Sequence, residues 1–142
     1  MPRKHFTHLL EPSAELLASY LHSVPGRYVH LDFDVRVGLG RDPGPDFDAS
    51  MRQMAIHLSQ RRIDCLAISA NRIDVIEVTT QAGLTSLGQL MAYPELYRRT
   101  YAATLPCFPV LVTYDFAPDM ADLYELYNIE CYIMPRPEPS NS

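Results

Sequence analysis

Residues 61–80, RRIDCLAISANRIDVIEVTT, restrict the possible folds more than any other stretch. Two runs rich in Ile, Val and Leu flank the four residues Ser69-Ala70-Asn71-Arg72, the pattern of a strand, a tight turn and a returning strand. A turn centred on Ala70-Asn71 sets Ser69 opposite Arg72 and Ile68 opposite Ile73. The same register carries Asp64 opposite Glu77, with Cβ atoms ~4.5–5.5 Å apart on one face. Two carboxylates so placed repel unless a cation lies between them or one takes up a proton. Mg²⁺ is commonly held by one or two carboxylates together with water and substrate phosphate. Alternation along the second strand adds Thr79 to the face of Ile73, Val75 and Glu77. A blander arrangement stays open: a partly exposed hairpin in which Asp64 pairs with Arg62 or Arg72, and Glu77 with another arginine.

The remaining segments supply the elements around this hairpin. EPSAELLASYLHS (11–23) reads as an amphipathic helix starting at Pro12 or Ser13, with Leu16, Leu17, Tyr20 and Leu21 inward and Pro25-Gly26 as its stop. In RYVHLDFDVRV (27–37), Val29, Leu31, Phe33, Val35 and Val37 alternate with polar residues, which predicts one strand with a single core face. GLGRDPGPDFD (38–48) reads as a loop, and its Gly38-Leu39-Gly40 is too short and too proline-bound to cradle phosphate. Residues 49–60 fit two periods: Met51, Met54, Ala55 and Leu58 suit a helix, while Met54, Ile56 and Leu58 suit a strand. Leu84, Leu87, Leu90, Met91 and Leu96 predict a helix over 84–101, kinked or split at Pro94. CFPVLVTY, PDMADLYELYN and IECYIM read as strand, helix opened by Pro118, and last strand. The order predicts an α/β domain with a mixed central β-sheet flanked by helices. An N-terminal arm (1–11) and a proline-rich tail (135–142) bound a domain spanning 12–134.

Composition removes several classes. A chain of 142 residues suits one domain, and no apolar run approaches the ~20 residues of a membrane span. MPRKHFTH lacks the apolar core of a secretory signal, so a cytoplasmic protein, not a secreted one, is expected. Cys65, Cys107 and Cys131 form no close pair, which argues against disulfides and a zinc site and for reduced thiols. Basic residues are almost all arginine, the single lysine being Lys4, and the net charge is −5. Any phosphate contact must therefore come from a local patch such as Arg61-Arg62 or Arg98-Arg99. His5 and His8 read as a solvated arm. His30 shares its strand's polar face with Asp32 and Asp34, and Tyr93, Tyr97 and Tyr101 recur at a spacing typical of helix packing. No serine or cysteine has the base spacing that nucleophilic catalysis needs.

Asp64 in RIDCLAI, Glu77 in VIEVT and the following helix with GQLMAY resemble the PD-(D/E)XK nuclease superfamily. Gln89 and Tyr93, one turn apart, resemble the Gln-x-x-x-Tyr motif of its exonuclease lineage, and the likeness covers roughly residues 12 to 134. It implies a restriction-endonuclease-like αβββαβ core with an added helix and strand. It also implies Mg²⁺ or Mn²⁺ held by Asp64, Glu77 and the backbone carbonyl of Val78, with Glu15 as an extra acid and Gln89 and Tyr93 as site residues. The family pattern places a lysine at position 79, where it orients the attacking water and stabilises developing charge. Thr79 has neither the charge nor the reach. No lysine exists elsewhere outside the arm, and Arg62 or Arg72 is left as a source of charge.

The favoured reading is thus a catalytically degenerate nuclease-fold domain kept as a binding or assembly module, similar to small proteins of tailed phages. Its partners would be proteins or further copies of itself, and its location a virion or the cytoplasm. One alternative is an active Mg²⁺-dependent DNA nuclease using Asp64 and Glu77, and another is a nucleic-acid-binding protein that does not cleave.

Overall fold

The computed structural model describes Leu9 and residues 11–139, so His5 and His8 lie outside the described residues. In chain order the elements are α1 (Glu11–Ser23), β1 (His30–Val37), α2 (Ala49–Ser59), β2 (Arg61–Ile68), β3 (Ile73–Ala82), α3 (Leu84–Tyr101), β4 (Cys107–Phe116), α4 (Ala121–Leu126) and β5 (Glu130–Ile133). The strands form one mixed sheet in sequence order. β1, β2 and β3 are antiparallel to one another, whereas β3, β4 and β5 run parallel, joined by α3 and α4.

The hairpin closes in the register the turn implies. Ile68 faces Ile73, Cys65 faces Ile76, and the Ser69 N–H donates to the Arg72 carbonyl at 3.0 Å. β3 is the middle strand and is buried on both faces, which explains its nearly unbroken apolar run. On one face α1 packs Leu16, Leu17 and Tyr20 against Cys65, Ala67, Ile76, Val78, Val110 and Val112. Each fully buried leucine there contributes about 1.5–3 kcal/mol of hydrophobic stabilisation. On the other face α3 packs Leu87 and Leu90 against Leu111 and Tyr124, and Tyr93 against Val37, Ile63, Leu66 and Val75.

The polar intruder Asp74 is compensated at the hairpin end. It accepts from the Tyr28 hydroxyl and the Arg72 guanidinium, both at 2.7 Å, and Arg72 also holds Glu130 at 3.0 Å. Arg72 is therefore committed away from Asp64.

Three expectations change, and the open choice at residues 49–60 is settled. β1 does not present one apolar face: Leu31 and Phe33 join the α1 layer, whereas Val35 and Val37 join the α3 layer, and Val29 is exposed. The switch occurs at Asp34, whose φ of 59° is left-handed, a conformation that aspartate tolerates better than most side chains. Residues 49–60 form a helix, α2, capped by Asp48, whose carboxylate accepts from the Met51 N–H at 2.8 Å. Arg36 closes its other end by donating to the carbonyls of His57, Leu58 and Gln60. α3 is not split at Pro94, because Leu90 and Tyr93 are anchored in the core beside the hydrogen bond that the proline removes. Finally, α4 begins at Ala121, since Asp119 is left-handed (φ 68°) and keeps Pro118 in the preceding turn.

The cysteines are free thiols, with Cys65 buried and the other two half-buried. No helix among the described residues is long and apolar enough to cross a membrane.

Candidate functional site

The main-chain ladder between β2 and β3 ends at Cys65–Ile76, and carboxylates continue it. The Val78 N–H donates to Asp64 Oδ2 at 2.8 Å, and the Asp64 N–H approaches Glu77 Oε1 at 3.5 Å. Each strand thus places an acid where the other strand's carbonyl would otherwise lie. Asp64 and Glu77 meet as the register requires, while Arg72 is committed to Asp74 and Arg62 lies 3.8 Å from Asp34.

Glu77 is almost fully buried. Burial first, and the Asp64 charge second, push its carboxyl up to about 10. Glu77 therefore holds its proton well beyond the usual carboxylate range.

Above the pair opens a cavity of about 440 Å³, walled by Asp64, Glu77, Val78, Thr79, Gln89 and the first turn of α3 from Gly83 to Ser86. Leu9, just before α1, also lines it. Thr79 donates its hydroxyl to the Gln81 carbonyl at 3.1 Å and brings no charge. What faces the carboxylates instead is the N-terminus of an 18-residue helix, the end that carries the positive part of the helix dipole. That turn is fixed by Ser86, whose hydroxyl accepts from the Gly83 N–H at 3.3 Å, and by the Tyr124 hydroxyl, which donates to the Gly83 carbonyl at 2.9 Å.

The other candidates occupy varied places. Gln89 is in the wall, and Tyr93 lies buried behind it and hydrogen-bonds to it. Burial and then the Glu77 charge raise the Tyr93 hydroxyl, while Gln89 and Arg61 act in the opposite direction. Glu15 is exposed on α1, outside the cavity wall. His30 bonds Asp32 at 3.0 Å at the exposed edge of β1. Arg61, the basic residue electrostatically coupled to Tyr93, was singled out in the sequence only as half of an arginine pair. Its closeness depends on where α3 crosses the sheet, which strand pattern does not report.

Two carboxylates in an open polar cavity form a donor set that suits an oxygen-preferring divalent cation such as Mg²⁺ or Mn²⁺. No cluster of three or more His, Cys, Asp or Glu gathers among the described residues. Such an ion would take its other ligands from water, main-chain oxygen or substrate.

No protein-family model and no curated protein sequence matches the chain. Among solved structures it is similar to EndoMS in a complex with double-stranded DNA, with a TM-score of 0.50 and 17% sequence identity. The match covers 92% of this chain and 48% of that one, so this chain spans about half its length. The likeness and the five-stranded mixed sheet with flanking helices show a restriction-endonuclease-like, nuclease-type fold.

Proposed function

We propose that the chain is a nucleic-acid-binding domain on a nuclease-type fold, which holds a divalent cation at Asp64 and Glu77 and has retired hydrolysis. The observation that carries this reading is the pair itself. Asp64 and Glu77 meet in the wall of an open cavity, with Thr79 where the resembling family keeps a lysine. A bound Mg²⁺ or Mn²⁺ would neutralise the pair and attract a phosphodiester. Asp64 and Glu77 would hold it, Val78 orients Asp64 through its N–H, and Gln89 borders the space left for the strand. Thr79 supplies no positive charge to the developing transition state, and loss of one such contact typically costs 10²–10³ in rate.

Incubation of the purified protein with linear, circular and single-stranded DNA in Mg²⁺ or Mn²⁺, beside a filter-binding measurement, tests the reading. Binding without cleavage is the expected result. Cleavage lost in both Asp64→Ala and Glu77→Ala would instead make the chain an active nuclease.

A second reading, assembly through contacts between copies of this chain, is favoured by α2. The helix fully buries no side chain, and Met51, Met54 and Leu58 are all exposed at spacings that share one face. Sedimentation over a range of concentrations tests it. Self-association abolished by Met54→Glu with Leu58→Glu would support it, and a monomer at every concentration would remove it.

A further inference from the structure

Where the loop after β1 meets the start of β2 and α3 lies another hollow of about 380 Å³, bordered by Gly38, Gly40, Arg41, Ser59, Arg61 and Leu96. Its walls are fixed. The Gly38 carbonyl accepts from Gln60 Nε2 at 2.8 Å, and the Gly38 N–H donates to the Thr100 hydroxyl at 3.0 Å. The Arg41 N–H donates to Ser59 Oγ at 2.6 Å. Gly40 has φ +67°, and a Cβ there would come within 2.3 Å of the Ile56 carbonyl oxygen, so the loop is pressed against α2 as only glycine allows.

Within this frame the Arg41 and Arg61 side chains are exposed and hold no hydrogen bond or ion pair with the described residues. Every other described arginine already holds an acid, a tyrosine hydroxyl or main-chain carbonyls. On a chain of net charge −5, two uncommitted guanidiniums sharing one rigid hollow are a local exception.

We infer that this hollow is a phosphate subsite, in which Arg41 and Arg61 together grip a backbone phosphate of the nucleic-acid strand that passes over Asp64 and Glu77. The inference rests on the nucleic-acid reading above and names the positive surface that reading needs. Guanidinium forks match phosphate oxygens in pairs and stay charged at any working pH. Arg61 precedes Asp64 by three residues on β2, ~10 Å at the usual strand rise, so one strand can touch both sites. The grip carries no base contact, and the subsite positions a strand without reading its sequence.

Fluorescence anisotropy with a labelled duplex, over a series of salt concentrations, decides the matter for wild type, Arg41→Gln with Arg61→Gln, and Arg27→Gln. Arg27 sits at the opposite end of the fold against Tyr132 and provides a control for loss of charge. The double variant should bind about tenfold or more weakly, with a salt slope shallower by about one to two, while Arg27→Gln binds as wild type. Melting temperatures should match, since both side chains are exposed, and the paired Arg→Lys variant should recover part of the affinity. Wild-type binding with an unchanged double variant would overturn the subsite and leave the nucleic-acid reading standing. No binding by folded wild type at low salt would overturn both.

Discussion

Val78 donates its main-chain N–H to the Asp64 carboxylate at 2.8 Å, so the ladder between β2 and β3 ends in a side chain, not a peptide. The strands part at that step and open the space above Glu77. The same bond fixes the rotamer of Asp64, which makes the carboxylate pair a preformed feature of the folded chain.

Thr79→Lys should restore what the position lacks. A lysine there would extend from the face of Glu77 into the cavity, and Mn²⁺- or Mg²⁺-dependent nicking of plasmid DNA should rise by about 10² over wild type, the scale of one transition-state charge contact. Adding Asp64→Ala should remove the gain. A folded Thr79→Lys variant with no activity would show that more than one charge is missing.

Stability should fall as pH rises, in the absence of divalent cation. An unfolded chain releases the Glu77 proton near 4.5, whereas the folded chain keeps it until about 10. The Glu77 contribution is therefore fully present below 4.5 and is lost as pH climbs through that window. Glu77→Gln should flatten the dependence and melt higher than wild type at pH 8.5. Mg²⁺ or Mn²⁺ should raise the wild-type melting temperature more at pH 8.5 than at pH 6, because binding displaces the proton. Neither ion should protect Glu77→Gln. Thermal melts in buffered EDTA and in each ion would measure all of this.

Asp34 should tolerate glycine and resist branched residues. A branched side chain at φ 59° costs about 1–2 kcal/mol in the left-handed region, where glycine costs little. Urea unfolding should give Asp34→Val a lower midpoint than Asp34→Gly, with Arg62→Gln as the control for the ion pair that both changes remove.

The hairpin and its facing acids were legible because a short turn leaves one register, and register alone brings Asp64 to Glu77. Residues 49–60 were not legible, since Met51, Met54 and Leu58 look like a core face yet bury nothing. The switch at Asp34 was hidden because alternation counts residues and is blind to φ. At Pro94 the local rule allows a split that the packing of Leu90 and Tyr93 prevents. Arg61 and the N-terminal turn of α3 become part of the site only through tertiary placement, which no window of sequence contains.

The turnover at Asp34 divides the edge strand into two pieces with separate listeners. A change at Leu31 or Phe33 is felt by α1 and the far side of the sheet, whereas one at Val35 or Val37 presses on the layer that holds Tyr93 behind Gln89. Each half reaches the cavity by its own route, the first through the α1 layer that holds Val78 and the second through Tyr93. A single strand of eight residues thereby braces both layers against which the site is built.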